Sequence, residues 1–529
     1  MKKLLLLLSI ISVGFAYSQT MDWQKIYGGT DSDKATCVSY IFDSSSQSFS
    51  ICVAGHYKST DGDFSSNYGN YDCFVADFDD SGNEIWKTTF GGTDADYIYA
   101  MGYNSTNIVV VGTSKSNDND ITGNHGNYDM LVVKLDLSGN IIWQKSFGGT
   151  EVDKATSVQV TDTGEIFVLG YSKSTDGDVT AGANHGDYDI WLLKLDANGN
   201  ILWQKNYGGS NDDRSTDIIF DNYSSNLYFS GYSKSNDGDL TTNQGNYDYW
   251  VVKIDVTGTI LWQQSYGGSG IDKEPHISIA FTFLVAGYSN STDGDVTNPK
   301  GNFDIWVLEL SGMNGNFWEK SYGGTGADFA TGIDNHHDML TFNRSQSMPD
   351  AYILGYSNSD DGDFPTNAGN YDAWLLGIDY DGSILNSLHL GGNNVDKILG
   401  INTEMAYPPQ PKYLVGTTKS DTGDFATQHG NYDAWLLGAS LPYDMGSGIA
   451  ENQININTYP NPVKDYVHIA TDDILMISLF DTTGKRVLQI QTPDRPDNLD
   501  LNLSNLSKGN YLLKVLSKKG VGNKVILKN

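Results

Sequence analysis

Residues 148–207 read GGTEVDKATSVQVTDTGEIFVLGYSKSTDGDVTAGANHGDYDIWLLKLDANGNILWQKNY. Ala155–Val160 is rich in β-formers and runs into Thr161-Asp162-Thr163-Gly164, a turn. Ile166–Tyr171 is a second β-rich run, followed by a polar loop from Ser172 to Asp187. Tyr188–Asp196 reads as a third strand, Ala197-Asn198-Gly199 as a tight turn, and Ile201–Tyr207 as a fourth strand. The stretch therefore predicts four short strands joined by turn chemistry and opened by a glycine pair.

That grammar recurs. Glycine pairs begin at Gly28, Gly91, Gly148, Gly208, Gly267, Gly323 and Gly391, spaced 56 to 68 residues apart. A fixed period of this size signals a repeat architecture. The first copy is preceded by a lone fourth strand, Asp22–Tyr27, whose Trp23 corresponds to Trp86, Trp143, Trp203, Trp262 and Trp318 of later copies. The seventh copy stops after its third strand, near Ala439. An orphan strand at the front and a missing one at the back is how a ring of sheets closes without a free edge. The expected fold is all-β: a seven-bladed β-propeller over residues 19–439, closed by the N-terminal strand. In that topology the Gly-Gly crossings and the long loops between second and third strands share one rim. The copies lack the Gly-His and Trp-Asp signatures of WD40 repeats and are longer than kelch repeats. The repeat resembles one found in secreted Bacteroidetes proteins.

Composition supports a folded, strand-rich, exported chain. Of 529 residues 12% are aromatic and 58 are glycine, which favours strands and turns over disorder. The formal charge of −32 argues against nucleic acid or anionic lipid as partner. Lys2 and Lys3 precede the apolar run Leu4–Val13, and Ala16-Tyr17-Ser18 offers small residues for cleavage before Gln19. Residues 1–18 are thus expected to be a signal peptide. No later stretch reaches eighteen apolar residues, so a transmembrane helix is not expected. Cys37, Cys52 and Cys73 fall on three successive predicted strands of the first copy. Phe167 and Tyr228 stand in the place of Cys52, and Ile190 and Tyr249 in that of Cys73, so these read as buried strand positions.

After Ala439 the periodicity ends. Residues 440–457, with Gly446-Ser447-Gly448, read as a linker. Residues 458–529 open with Tyr459-Pro460-Asn461-Pro462, continue through Ile474–Phe480 and Arg486–Ile490, and end on Lys524-Val525-Ile526-Leu527-Lys528. This segment resembles the type A C-terminal sorting domain of the type IX (Por) secretion system of Bacteroidetes. The resemblance implies a small β-sandwich that engages the outer-membrane secretion machinery, is removed by a sortase-like peptidase, and leaves the chain secreted or on the cell surface. Charge sets the segment apart: residues 451–529 hold 10 basic and 8 acidic residues, residues 19–450 hold 21 and 57.

The acidic loops carry the most suggestive pattern. Most begin Ser-x-Ser-x-Asp-Gly-Asp and end in an aromatic followed by Asp. The sets are Asp61, Asp63, Asp72; Asp118, Asp120, Asp129; Asp176, Asp178, Asp189; Asp237, Asp239, Asp248; Asp293, Asp295, Asp304; and Asp361, Asp363, Asp372. The seventh copy has Thr422 for the first Asp, beside Asp421, then Asp424 and Asp433. Another Asp follows each glycine pair: Asp33, Asp96, Asp153, Asp213, Asp272, Asp328 and Asp396. Several carboxylates around a glycine turn suit Ca²⁺. The bland alternative is that Asp caps its own turn, and an Asp present in every copy serves the copy more naturally than a single site.

Trp191, Trp250, Trp306, Trp374 and Trp435 follow the loops on third strands, placed either to stack on sugars or to pack between blades. His125, His185 and His429 share one loop position and read as turn residues. No nucleophile elbow, His-Glu-x-x-His or Walker A sequence occurs. Irregular stretches are His336–Pro349 and Tyr407-Pro408-Pro409. Three functions are compatible with this reading: a binding or adhesion module with a glycan or protein ligand on the long-loop rim, a secreted polysaccharide hydrolase or lyase, and a structural surface protein.

Overall fold

The computed structural model describes residues 20–529 except 44–47, 181–183, 222–223, 280–282, 311–315, 336–348, 380, 403–411, 426–427, 441–455, 472–473, 481–485, 492–497, 505 and 518–519. The expected signal peptide, most of the linker, most of the His336–Pro349 stretch and Tyr407-Pro408-Pro409 lie outside the described residues.

The repeats form seven four-stranded antiparallel sheets, numbered here in chain order. Sheet three contains Asp153–Val160, Ile166–Ser172, Asp189–Leu195 and Ile201–Tyr207, side by side in that order. Sheets one to six are built this way from consecutive strands. Sheet seven takes Asp396–Asn402, Lys412–Thr418 and Asp433–Ser440 from the last repeat and its fourth strand, Thr20–Tyr27, from the front of the chain. The pairing sets Trp23 against Gly438 and Tyr27 against Ala434.

Successive sheets meet through one recurring set of contacts. The amide of each first-strand Asp bonds to the carbonyl of the aromatic that precedes the third strand of the previous sheet. Examples are Asp96 to Tyr71 at 2.8 Å, Asp153 to Tyr128 at 2.6 Å and Asp213 to Tyr188 at 2.7 Å. Asp33 of sheet one makes the same bond to Tyr432 of sheet seven at 2.7 Å. The first strands lie against one another in chain order, and Asp396–Asn402 lies against Asp33–Asp43 as well.

Apolar packing follows the same seams. Trp191 is fully buried with Val109, Val111 and Met130 of sheet two, and Trp250 with Phe167 and Leu169 of sheet three. Trp306 packs on Tyr249 and Val251, Trp374 on Leu284 and Ala286, and Trp435 on Tyr352 and Leu354. At the junction of sheets seven and one, Phe74 takes this place beside Tyr413 and Val415. Each tryptophan removes roughly 150–250 Å² from water, worth about 4–6 kcal/mol at about 25 cal/mol per Å² before ordering costs. Of the two roles open to these tryptophans, packing is the one their burial fits. Cys52 and Cys73 are buried, Cys37 is partly buried, and all three thiols are free.

The C-terminal segment forms two further sheets. Asn457–Tyr459, Tyr466–Ala470 and Asn498–Asn502 make one; Arg486–Gln491, Ile474–Phe480, Gly509–Ser517 and Gly520–Lys528 make the other. They share a core containing Val467, Ile469, Ile477, Leu479, Leu501, Leu513 and Ile526.

Candidate functional site

The acidic loops fold back over the glycine pairs, and their carboxylates are engaged there. In sheet three, Asp176 Oδ1 accepts from the Thr150 amide at 2.8 Å and Asp178 Oδ2 from the Gly148 amide at 3.3 Å. Asp189 Oδ2 accepts from the His185 amide at 2.8 Å. Asp61, Asp63 and Asp72 hold the amides of Thr30, Gly28 and Tyr68 at 2.7, 2.9 and 2.7 Å. Asp237, Asp239 and Asp248 hold those of Ser210, Gly208 and Gln244. Asp293, Asp295 and Asp304 hold those of Ser269, Gly267 and Lys300. The Asp after each glycine pair is buried. Asp153, for instance, accepts from the Gly149 amide at 2.8 Å, from Ser174 Oγ at 2.7 Å and from Ser172 Oγ. Among the described residues, no group of three or more His, Cys, Asp or Glu side chains is gathered to hold a metal ion.

Environment splits these acids into two sets. Asp118, Asp176, Asp237 and Asp293 lie below the usual carboxylate range because amide and hydroxyl donors hold them ionised. On the third strands Asp72, Asp129, Asp189, Asp248, Asp304 and Asp433 are pushed up by burial, Asp72 to about 6 and Asp248 to about 7. One oxygen, Oδ1, of Asp72, Asp129, Asp189, Asp248, Asp304, Asp372 and Asp433 is buried without a hydrogen-bond partner. His125 and His185 approach their buried Asp through Nδ1, at 2.9 and 2.8 Å, and His389 reaches Asp372 through Nε2 at 2.7 Å.

Sequence reasoning missed a second constellation, this one basic. The residue after the buried Asp on each first strand is Lys34, Tyr97, Lys154, Arg214, Lys273, Phe329 or Lys397. Each is half-buried where the first strands meet. The signal was legible as Asp-Lys or Asp-Arg in five of seven copies. Their strand partners include Tyr171, Tyr232 and Tyr288, opposite Lys154, Arg214 and Lys273. Four of the five, Lys34, Arg214, Lys273 and Lys397, also reach the aromatics of the preceding sheet. Arg214 Cζ lies 4.4 Å from the Tyr188 ring centre and 5.2 Å from that of Tyr171. Lys273 Nζ lies 3.6 Å from Tyr247, Lys397 Nζ 3.8 Å from Tyr356, and Lys34 Nζ 5.8 Å from Tyr432. A second tier follows the second strands: Lys58, Lys115, Lys173, Lys234 and Lys419, four of them within 6.0 Å of an aromatic ring centre. The two tiers hold ten of the 21 basic residues in 19–450.

One position breaks the repeat. Glu274 stands where the other first strands carry Ala35, Ile98, Ala155, Ser215, Ala330 and Ile398, all buried. Its φ is +53°, a left-handed conformation that a non-glycine residue adopts at a cost. The pairing register is interrupted between Lys273 and His276, and the carbonyl of the following Pro275 accepts from Ser230 Oγ at 2.6 Å. The glutamate acts electrostatically on Tyr171, Tyr232, Tyr288 and Tyr356, drawn from four different sheets. It also acts on Lys273, raising its pKa against the lowering by burial.

The C-terminal segment is matched over residues 457–529 by the family model "Secretion system C-terminal sorting domain". Residues 457–529 are a type IX secretion sorting domain. The sorting domain marks the chain for secretion or the cell surface. No helix among the described residues is long and apolar enough to cross a membrane. Over 197 residues the chain is 26% identical to Regulatory protein FlaEY of Caulobacter vibrioides, covering 34% of this chain and 20% of that protein. The chain thus spans about a fifth of that relative's length. Among solved structures it is similar to the extracellular domain of a one-component system of B. thetaiotaomicron, at 11% identity and TM-score 0.37, covering 97% of this chain and 58% of that one. It is also similar to Synechocystis apocarotenoid oxygenase, at 12% identity and TM-score 0.34, covering 61% and 70%. A member of the DUF4221 family from Bacteroides vulgatus follows at 10% identity and TM-score 0.30, covering 80% and 98%. Likenesses of this strength carry nothing about activity.

Proposed function

We propose that the chain is an exported seven-bladed propeller, residues 19–439, that binds a partner in the extracellular space through its long-loop rim, with the sorting domain as its address. Closure of the ring is supported by sheet seven, which draws its fourth strand from the N-terminus, and by the sheet-seven-to-one seam, which repeats the bonds of the others. Binding is carried by one observation: ten of the 21 basic residues in the acidic segment 19–450, interleaved with tyrosines, line the first-strand circuit and its rim. Loops and lining on a rigid scaffold are where recognition residues collect.

Calcium assistance is the second part of this reading. It rests on the Oδ1 atoms of the third-strand Asp set, which are buried without a hydrogen-bond partner. A cation there would draw on Asp72, Asp189, Asp248 or Asp304 and on neighbouring carbonyls.

The test is binding of the exported chain to a panel of immobilised polysaccharides and to intact cells, with released sugar ends assayed in the same samples. Saturable binding without release is the expected result. Release of reducing or unsaturated ends would make the protein a hydrolase or lyase, and absence of saturable binding would make it a structural surface protein.

A further inference from the structure

We infer that the lining of the first-strand circuit is a binding site for an anionic saccharide, one bearing carboxylate or sulfate groups, read by Lys154, Arg214, Lys273, Tyr171, Tyr288 and Glu274. This rests on the reading of the protein as an exported binding module and names its ligand class.

The argument for an anion is electrostatic. Lys34, Lys154, Lys273 and Lys397 make no ion pair among the described residues, although the molecule around them is strongly acidic. Arg214 bonds Asp212 through Nε at 2.8 Å and Tyr171 as well, which leaves further N–H donors of its five-donor fork. The cations are close enough to repel: burial first, and then Arg214, holds Lys154 below the usual lysine range, and Lys34 does the same to Lys397. Burial also lowers Lys273, where the pull of Asp212 and Glu274 works against the push of Arg214. The tyrosine rings offset part of the cost of these converging half-buried cations; an anion would offset more, and a guanidinium fork is suited to carboxylate and sulfate oxygens. The acids that could have served, in the loops, are turned to amides instead.

The argument for a sugar comes from what lies between the cations. Tyr171 and Tyr288 are half-buried there, while Tyr232 is buried. Half-buried tyrosine rings offer a surface for the C–H side of a pyranose ring, with hydroxyls at the edge for its polar groups. Glu274 has no use in binding a bare anion, which it would repel, but it is an acceptor for sugar hydroxyls presented on the same ring. Its backbone is left-handed, and it is half-buried where its six counterparts are buried. A polynucleotide would meet the long-range repulsion of a molecule with charge −32.

The experiment is calorimetric titration of the full exported chain with four probes: oligogalacturonate, a sulfated galacto-oligosaccharide, the neutral galacto-oligosaccharide and inorganic sulfate. At least one acidic oligosaccharide should bind saturably, at least tenfold tighter than the neutral one and than sulfate. The double variant Arg214→Gln/Lys273→Gln should lose at least tenfold, and Lys205→Gln, on an exposed fourth-strand position, should bind as the parent does. If the double variant does not fold, Lys154→Gln and Lys273→Gln singly serve in its place, each expected to weaken binding several-fold. Equal affinity for acidic and neutral sugars, equal affinity for sulfate alone, or variants with undiminished affinity would overturn the site. So would failure of both acidic probes. In that case saturable binding to any other polysaccharide or to cells still supports a binding module, so the two readings fail separately.

Discussion

The indole N–H of Trp23 donates to the carbonyl of Asp80 at 2.9 Å, joining the first strand of the chain to a turn 57 residues later. The ring lies over Gly82, where a Cβ would come within 2.7 Å of it. Gly82 has φ +77°, so this glycine is required both by the turn and by the tryptophan above it. Trp143 repeats the arrangement with the carbonyl of Ala197 and with Gly199, and Trp203 with Val256 and Gly258. Trp23 belongs to sheet seven and Gly82 to sheet one, so the clasp between neighbouring sheets is also the clasp between the ends of the repeat array.

If that seam is equivalent to the others, Trp23→Ala and Trp143→Ala should destabilise alike, each by roughly 3 kcal/mol for a large aromatic cut back to alanine. Melting curves and limited proteolysis of the two variants check this. A much smaller loss at Trp23, with early cleavage in the last repeat, would mean that the ring does not close there.

Much of this fold was legible because it is written seven times. A polar loop after Tyr171 could be one accident; the same loop after Tyr232, Tyr288 and Tyr356 sets a period. The strand limits followed from turns such as Ala197-Asn198-Gly199. The candidate site was read less well. Asp61 and its counterparts were recognised as a recurring loop feature, but sequence does not show that their oxygens are occupied by amides such as Thr30. Lys154 and Arg214 escaped notice because a basic residue next to a buried Asp reads as a local ion pair. Only the circuit of first strands brings residues about 60 apart in sequence onto one face. Glu274 could have been noticed as a charge where the other copies carry Ala, Ile or Ser; its left-handed backbone is not written in the sequence.

The split among the acids predicts a pH optimum of stability on the acid side of neutral. Asp72 and Asp213 titrate near 6 and Asp248 near 7 in the fold, and Asp129, Asp153, Asp189 and Asp304 are also raised by burial, against about 3.8 for the unfolded chain. Between those values the folded chain holds more protons than the unfolded one, so stability is full below about pH 4 for this set and is lost as pH rises through 6 to 7. Asp118, Asp176, Asp237 and Asp293 are lowered, so their contribution is lost as pH falls below about 4. Thermal melts from pH 3 to 8 should give the highest Tm near pH 4–5 and a steady fall toward pH 8. A Tm that rises from pH 5 to 7.5 would show that these groups are not buried as described.

Calcium makes a distinct prediction on the same axis. An ion bound only by the folded chain raises its apparent stability by mass action, by about 2.7 kcal/mol at a hundredfold excess over Kd. If the third-strand Asp set binds Ca²⁺, the rise in Tm should be largest at pH 7.5, where those carboxylates are ionised, and should vanish near pH 5. Chelator should reverse it, and Mg²⁺ at equal ionic strength should not reproduce it. Unchanged melting at pH 7.5 in excess Ca²⁺ would leave the loops as hydrogen-bonded turns alone.

Glu274 offers the sharpest separation of stability from function. A left-handed backbone costs a residue with a Cβ about 1 kcal/mol and costs glycine far less. Glu274→Gly should therefore be more stable than Glu274→Ala by about 1 kcal/mol, because both remove the carboxylate and only one relieves the backbone. The comparison also removes the electrostatic part, since each variant loses the same attraction to Lys273 and the same repulsion of Tyr232 and Tyr288. Both should bind acidic oligosaccharide less well than the parent despite the gain in positive charge, if Glu274 accepts sugar hydroxyls. Tighter binding in both variants would show the glutamate to be an electrostatic gate on the cations, not a contact. Equal stability of the glycine and alanine variants would show that the left-handed turn at this position stores no strain, and that the irregularity is set by Pro275 instead.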